Sequence, residues 1–335
     1  MPSRNTRRRL ESPPADENSK ESDPPSKPCL ADEWDPNAGL FLVQLPPELF
    51  DAIIENYGTL PCPFFYSTHN IPELKYYERN DALTALSQTC RALRGIILPR
   101  LWARLDICRV PERARLTWYK YTMQAIERKA NGIAVSPVRH HVRMLTLMFS
   151  KSQPEAALAA LWNMLPKLPN LRTIQVIICK TPGLAKSLTD SKLELPNVTT
   201  LFLPNEASFF QRICPNATHL CCVGGSGASL MSALTEKTEV FDGMVDWTDL
   251  KLQVVGRLLK NAPNLRTLEF RRPVNAGLGI ASQNTAPAEW KQIIPKLAPL
   301  KKLTKLILTF PAAEEITDDT ASIEAARTLM RKSVV

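Results

Sequence analysis

The chain has 335 residues, 44% of them hydrophobic, and a formal net charge of +9. That length exceeds one small core and suits two modules plus a tail, while 12 Gly against 28 Pro leaves turns mostly to proline and speaks against glycine-rich phosphate loops. The positive charge is spread along the chain without zinc-finger, RNA-recognition or basic-zipper spacing, so it reads as solvation rather than specific nucleic-acid binding.

Residues 1 to 39 are rich in Ser, Pro and charged side chains and poor in aliphatics. Burial there cannot repay the entropy of ordering, and a disordered tail is expected. Arg7, Arg8 and Arg9 read as a solvated run, with nuclear import as the alternative. The segment Leu45-Pro46-Pro47-Glu48-Leu49-Phe50-Asp51-Ala52-Ile53-Ile54 predicts a short helix. Proline just inside a helix start costs nothing, since the missing N–H would be unpaired there, and Leu45, Leu49, Ile53 and Ile54 fall on one face. Residues 58 to 80 read as an insert that loops out, carrying Pro61, Pro63 and Pro72 with Phe64, Phe65, Tyr66, Tyr76 and Tyr77. A second helix is expected where Leu83, Leu86, Cys90 and Leu93 recur at spacings of three and four. Neither helix is long enough to be stable alone, so each must bury its apolar face against a neighbour or another protein.

Leu45-Pro46-Pro47-Glu48-Leu49, then Leu86-Ser87-Gln88-Thr89-Cys90-Arg91-Ala92-Leu93, then Leu98-Pro99-Arg100-Leu101-Trp102-Ala103-Arg104-Leu105, in that order, resemble an F-box over roughly residues 42 to 107. The resemblance implies a helical module at 40 to 107 that docks the Skp adaptor of Skp, cullin, F-box ubiquitin ligases. By that resemblance Leu45, Pro46, Leu49, Ile53, Leu86, Cys90 and Leu93 contribute to the docking surface. The alternative is an ordinary all-α cap.

Pro111 onward predicts a helix to about Lys129, with Leu116, Tyr119, Met123 and Ile126 at helical spacing, joining the helical module to residues 108 to 335. A phrase then recurs: Pro169-Asn170-Leu171-Arg172-Thr173-Ile174, Pro196-Asn197-Val198-Thr199-Thr200-Leu201, Pro215-Asn216-Ala217-Thr218-His219-Leu220 and Pro263-Asn264-Leu265-Arg266-Thr267-Leu268. Residues 142–147 and 303–308 keep its strand part, and 238–241 is a fainter copy. Proline blocks the preceding helix and asparagine suits the turn, so the phrase marks one helix-to-strand corner used several times. Helical periodicity fills the gaps at 156–165, after Ser152 and Glu155 in capping-box spacing, and at 250–259, 289–297 and 323–332. Such Leu-x-x-Leu-x-Leu units at irregular intervals resemble leucine-rich repeats. The resemblance implies an α/β fold: an irregular solenoid of parallel strands in which stacking buries one face of each repeat. A doubly wound α/β sheet is the alternative. In the solenoid, Thr146, Gln175, Phe202, Cys221, Asp242, Glu269 and Ile307 form a row on the concave face, a candidate surface for a target protein.

Signs of catalysis are few. Gly224-Gly225-Ser226-Gly227-Ala228 lacks the Lys-Ser/Thr of a P-loop and the final glycine of a nucleophile elbow, and reads as a repeat loop. His69, His140, His141 and His219 show no accompanying nucleophile and acid, and Glu314-Glu315 and Asp318-Asp319 are expected in an open loop. The eight cysteines contain no Cys-x-x-Cys pair and read as reduced thiols, and Cys214, His219, Cys221 and Cys222 lack structural zinc spacing. No apolar run approaches the roughly twenty residues of a membrane span. The expectation is a non-enzymatic substrate-recognition adaptor of a cullin-type ubiquitin ligase. It needs no cofactor or metal, and resides in the cytoplasm or nucleus. A repeat scaffold with no ligase role is the rival.

Overall fold

The computed structural model describes residues 43–64, 72–110, 117–151, 155–225, 227–243, 252–271, 293–309 and 320–333. The expected tail at 1–39, Ser152, Trp290 and the carboxylate pairs lie outside them. All described residues belong to one unit, 37–335.

Three helices open it: α1 Pro47–Glu55, α2 Glu78–Ser87 and α3 Arg91–Trp102. The expected second helix is two. Its run breaks at Cys90, whose extended backbone and Sγ, 3.5 Å from the Leu93 N–H, start α3. Leu86, Cys90 and Leu93 therefore do not share one helical face.

The rest alternates strand and helix. β1 Arg104–Asp106 leads through α4 Trp118–Val135 to β2 Met144–Phe149, and α5 Glu155–Met164 to β3 Thr173–Cys179. α6 Leu184–Asp190 precedes β4 Thr200–Pro204, α7 Phe210–Ile213 precedes β5 His219–Gly224, and α8 Ala228–Ala233 precedes β6 Val240–Gly243. α9 Leu252–Asn261 precedes β7 Thr267–Arg271, a 3-10 turn Ile294–Leu297 precedes β8 Lys305–Thr309, and α10 Thr320–Ser333 follows. The strands form one eight-stranded sheet in the order β1 to β8, and every neighbouring pair is parallel.

A doubly wound sheet reverses its strand order and so carries helices on both faces. Here the order never reverses among the described strands. Consecutive crossovers of one hand then stay on one side. The buried faces of α4 to α10 accordingly share one core with Leu105, Leu147, Ile174, Leu201, Leu220, Phe241 and Leu268. α4 is thus the first crossover of the sheet rather than a joint between modules, and β1 falls inside the segment assigned to the helical module.

The Pro-Asn corners reveal a stacking device. Each asparagine amide donates to a backbone carbonyl of the preceding corner: Asn170 to His140 (2.6 Å), Asn197 to Pro169 (3.1 Å), Asn216 to Pro196 (2.9 Å) and Asn264 to Glu236 (2.8 Å). The asparagine does more than suit its own turn. It satisfies a carbonyl one strand away, tying each unit to the one before.

Candidate functional site

α1 has two apolar stripes. Phe50 and Ile54, one turn apart, are each 3% exposed and pack with Leu83, Leu93 and Ile97 into a small core of the three helices. Leu49 and Ile53 point away, 54% and 49% exposed, and Tyr57 continues their line just past the helix end. The expectation that Leu45, Leu49, Ile53 and Ile54 fall on one face is therefore corrected for Ile54. The helix is apolar on two adjacent strips, and its own fold covers only one. A groove of about 190 Å³ runs beside the open strip, lined by Phe50, Ile53, Ile54, Tyr57, Ala82, Leu83 and Leu86.

Of the seven expected docking residues, Pro46, Leu49 and Ile53 are exposed, and Leu45, Leu86 and Cys90 are half-buried. Leu93 is 3% exposed and belongs to the inner core with Phe50, Ile54, Leu83 and Ile97. Tyr57, absent from that set, is 41% exposed and lies four residues beyond Ile53, a spacing the sequence displays.

An ion pair fixes α1 against α3. Arg100 donates from Nε and Nη2 to the two Asp51 carboxylate oxygens at 2.5 and 3.1 Å, and its guanidinium lies 5.6 Å from the Phe50 ring centre. Hydrogen bonding from Arg100 holds the Asp51 carboxyl below its ordinary pKa. Arg94 ties α3 to the end of α2 through the Ser87 carbonyl at 3.1 Å. The open strip is thereby presented on a braced helix.

On the sheet face opposite the helices, the expected row is in register: Thr146 faces Gln175, then Phe202, Cys221 and Asp242 follow, and Glu269 pairs with Ile307. Its exposure differs from expectation. Thr146, Gln175, Phe202, Cys221 and Glu269 are buried, and Asp242 and Ile307 half-buried. Around Gln175 the cause is the 58 to 80 insert, which does not loop out in its described parts. Leu60, Phe64 and Tyr77 are buried against Cys108, Val110, Met148, Ile177 and Ile178, and Gln175 Nε2 donates to the Pro61 carbonyl at 3.2 Å. Phe202, Cys221 and Val223 form a separate small cluster on this face. Beside it, His219 Nε2 lies 2.8 Å from Asp242 Oδ2, with the Phe202 ring edge-on to the imidazole.

At the start of the sheet, Asp106 receives Arg104 Nε at 3.2 Å and Asn80 Nδ2 at 3.3 Å, while Lys129 Nζ donates to the Asp106 carbonyl at 2.6 Å. Burial pushes the Lys129 pKa down. These bonds join α2, β1 and α4.

Cys214 and Cys222 face the main core and Cys221 the opposite side of the sheet, so the three cannot converge on one ion. Among the described residues no cluster of His, Cys, Asp or Glu suits a metal. Burial pushes the Cys108, Cys214 and Cys222 thiols up to about 12, which disfavours nucleophilic thiolates. Gly225 and Gly227 have φ of +82° and +73° and lead into α8, whose Ser229 N–H donates to Asn205 Oδ1, in the turn after β4, at 2.8 Å. No described helix is long and apolar enough to cross a membrane. Compared with known proteins, the chain matches no family model and no curated protein.

Proposed function

We propose that the chain is a substrate-recognition adaptor of a cullin-type ubiquitin ligase, with an F-box-like helical module followed by a leucine-rich-repeat-like solenoid. The observation that carries the reading is the strip Leu49, Ile53 and Tyr57, exposed beside an apolar groove on a helix whose other face is already buried. A contiguous exposed apolar strip on a braced helix suits a protein partner. By resemblance that partner is the Skp adaptor. The sequential parallel strands and the asparagine links from corner to corner support the repeat reading of the fold.

The adaptor itself performs no chemistry in this account. Holding a target beside a charged ubiquitin-conjugating enzyme raises the effective concentration of the target's lysines. Co-purification of the Skp adaptor with the full chain tests the proposal. Wild type should retain the adaptor, and Leu49→Asp or Ile53→Asp should lose it while keeping the wild-type circular dichroism spectrum. Retention by both variants would sink the docking assignment and favour a repeat scaffold outside the ligase.

A further inference from the structure

The insert between α1 and α2 has two unequal legs. The leg entering α2 is anchored: Tyr77 OH lies 3.3 Å from Cys108 Sγ, and Arg109, paired with Asp81, lies 5.5 Å from the Tyr77 ring centre. The leg leaving α1, residues 59–64, buries Leu60 and Phe64 in the cluster that includes Met148, Ile177 and Ile178, sets the Phe64 ring edge-on to Tyr76 at 6.0 Å, and accepts a hydrogen bond from Gln175 at the Pro61 carbonyl. Its base is fixed. The Gly58 carbonyl accepts the Arg79 N–H at 3.1 Å, and a Cβ on Gly58 would stand 2.3 Å from the Lys75 carbonyl oxygen, so only glycine lets the legs approach this closely.

The surface under this leg is built for it. The β2–β3 register shifts between Leu147 and Met148, leaving Ile177 as the extra residue of a bulge. A bulge re-aims side chains. Here it turns both Ile177 and Ile178 into the cluster with Met148, making an apolar shelf on the face opposite the helices. Beside the shelf, Gln175 Oε1 and Thr146 Oγ1 are buried without a hydrogen-bond partner among the described residues. Buried polar groups are normally paired. The 59–64 leg thus covers the shelf but leaves part of the polar row beside it unmatched.

We infer that this shelf is a peptide-binding site, occupied in the free chain by its own residues 59–64 as an intramolecular ligand. The occupant defines the partner: a protein segment with an aliphatic residue, a proline directly after it and an aromatic residue four positions after the aliphatic, as in Leu60, Pro61 and Phe64. The inference rests on the adaptor reading only in taking this face as the one that meets a target.

A fluorescent peptide with the sequence of residues 58–66, Cys62 replaced by serine, should bind a full-chain Leu60→Ala/Phe64→Ala variant at least about tenfold more tightly than wild type. Adding Gln175→Leu to that variant should weaken binding about fivefold or more. Equal, negligible binding by wild type and variant would overturn the inference. As an independent check on the unmodified chain, amides of residues 59–64 should exchange at least about tenfold faster than those of β3. Exchange at the rate of β3 would show the leg to be integral core and would also overturn it. Neither assay contains a ligase subunit, so failure here leaves the docking of α1 untouched.

Discussion

Truncating adjacent residues of α1 should have very unequal consequences, because its two apolar stripes have different neighbours. Leu49 is 54% exposed, so less than half of a leucine's full burial value of roughly 1.5–3 kcal/mol is at stake, and Leu49→Ala should cost about 1 kcal/mol or less. Phe50 is 3% exposed, packs on the inner core and carries Arg100 over its ring, so Phe50→Ala should cost about 3–5 kcal/mol. Ile54→Ala, at the same burial, should cost about 2–5 kcal/mol. The gap of at least about 2 kcal/mol between Leu49→Ala and Phe50→Ala is a factor of roughly thirty in the local unfolding constant. Hydrogen exchange of the α1 amides, alongside urea unfolding followed by circular dichroism, measures it. If Leu49→Ala matched Phe50→Ala, the outer stripe would be part of a core and the open strip would not exist.

Replacing Asn197 or Asn216 by alanine should lower stability by about 1 kcal/mol each in thermal unfolding, since each removes one bond to the preceding corner. Asn197→Asp should be no better than alanine, because a carboxylate cannot donate to the Pro169 carbonyl. Asp51 has a folded pKa below its ordinary value, so its pair with Arg100 stabilises α1 fully above about pH 3.9. That contribution fades as pH falls through the lower folded value. Exposure limits it to about 0.2–1 kcal/mol, and Arg100→Met should abolish the acid step in α1 exchange. Cys108 and Cys214, raised to about 12, should resist iodoacetamide at pH 8 in the native chain and react promptly in urea.

Much of the sheet was legible because parallel strands buried on both faces read as short apolar runs, and the recurring phrase located β2 to β8. β1 was hidden by its length of three residues and by following α3 directly. The Pro-Asn phrase marked the corners, but the asparagines' partners lie 20 to 30 residues away and exist only once units stack. The aromatic load of the insert showed that it had apolar surface to bury, whereas its destination depended on a bulge in β3 that no local pattern announces. In the helices, spacing identified Leu49 and Ile53, yet it could not assign Ile54 or Leu93. Two adjacent apolar stripes look alike until one of them meets a core. The row from Thr146 to Ile307 followed from strand parity, but parity says nothing of what covers a face.

Solvent protection of α1 on adding the Skp adaptor tests the central claim most directly. Amide exchange across residues 47–57 should slow, and labelling of Tyr57 should fall, while β2 to β8 remain unchanged. Protection confined to other parts of the chain, or none at saturating adaptor, would contradict the proposal that this strip is left for a partner to cover.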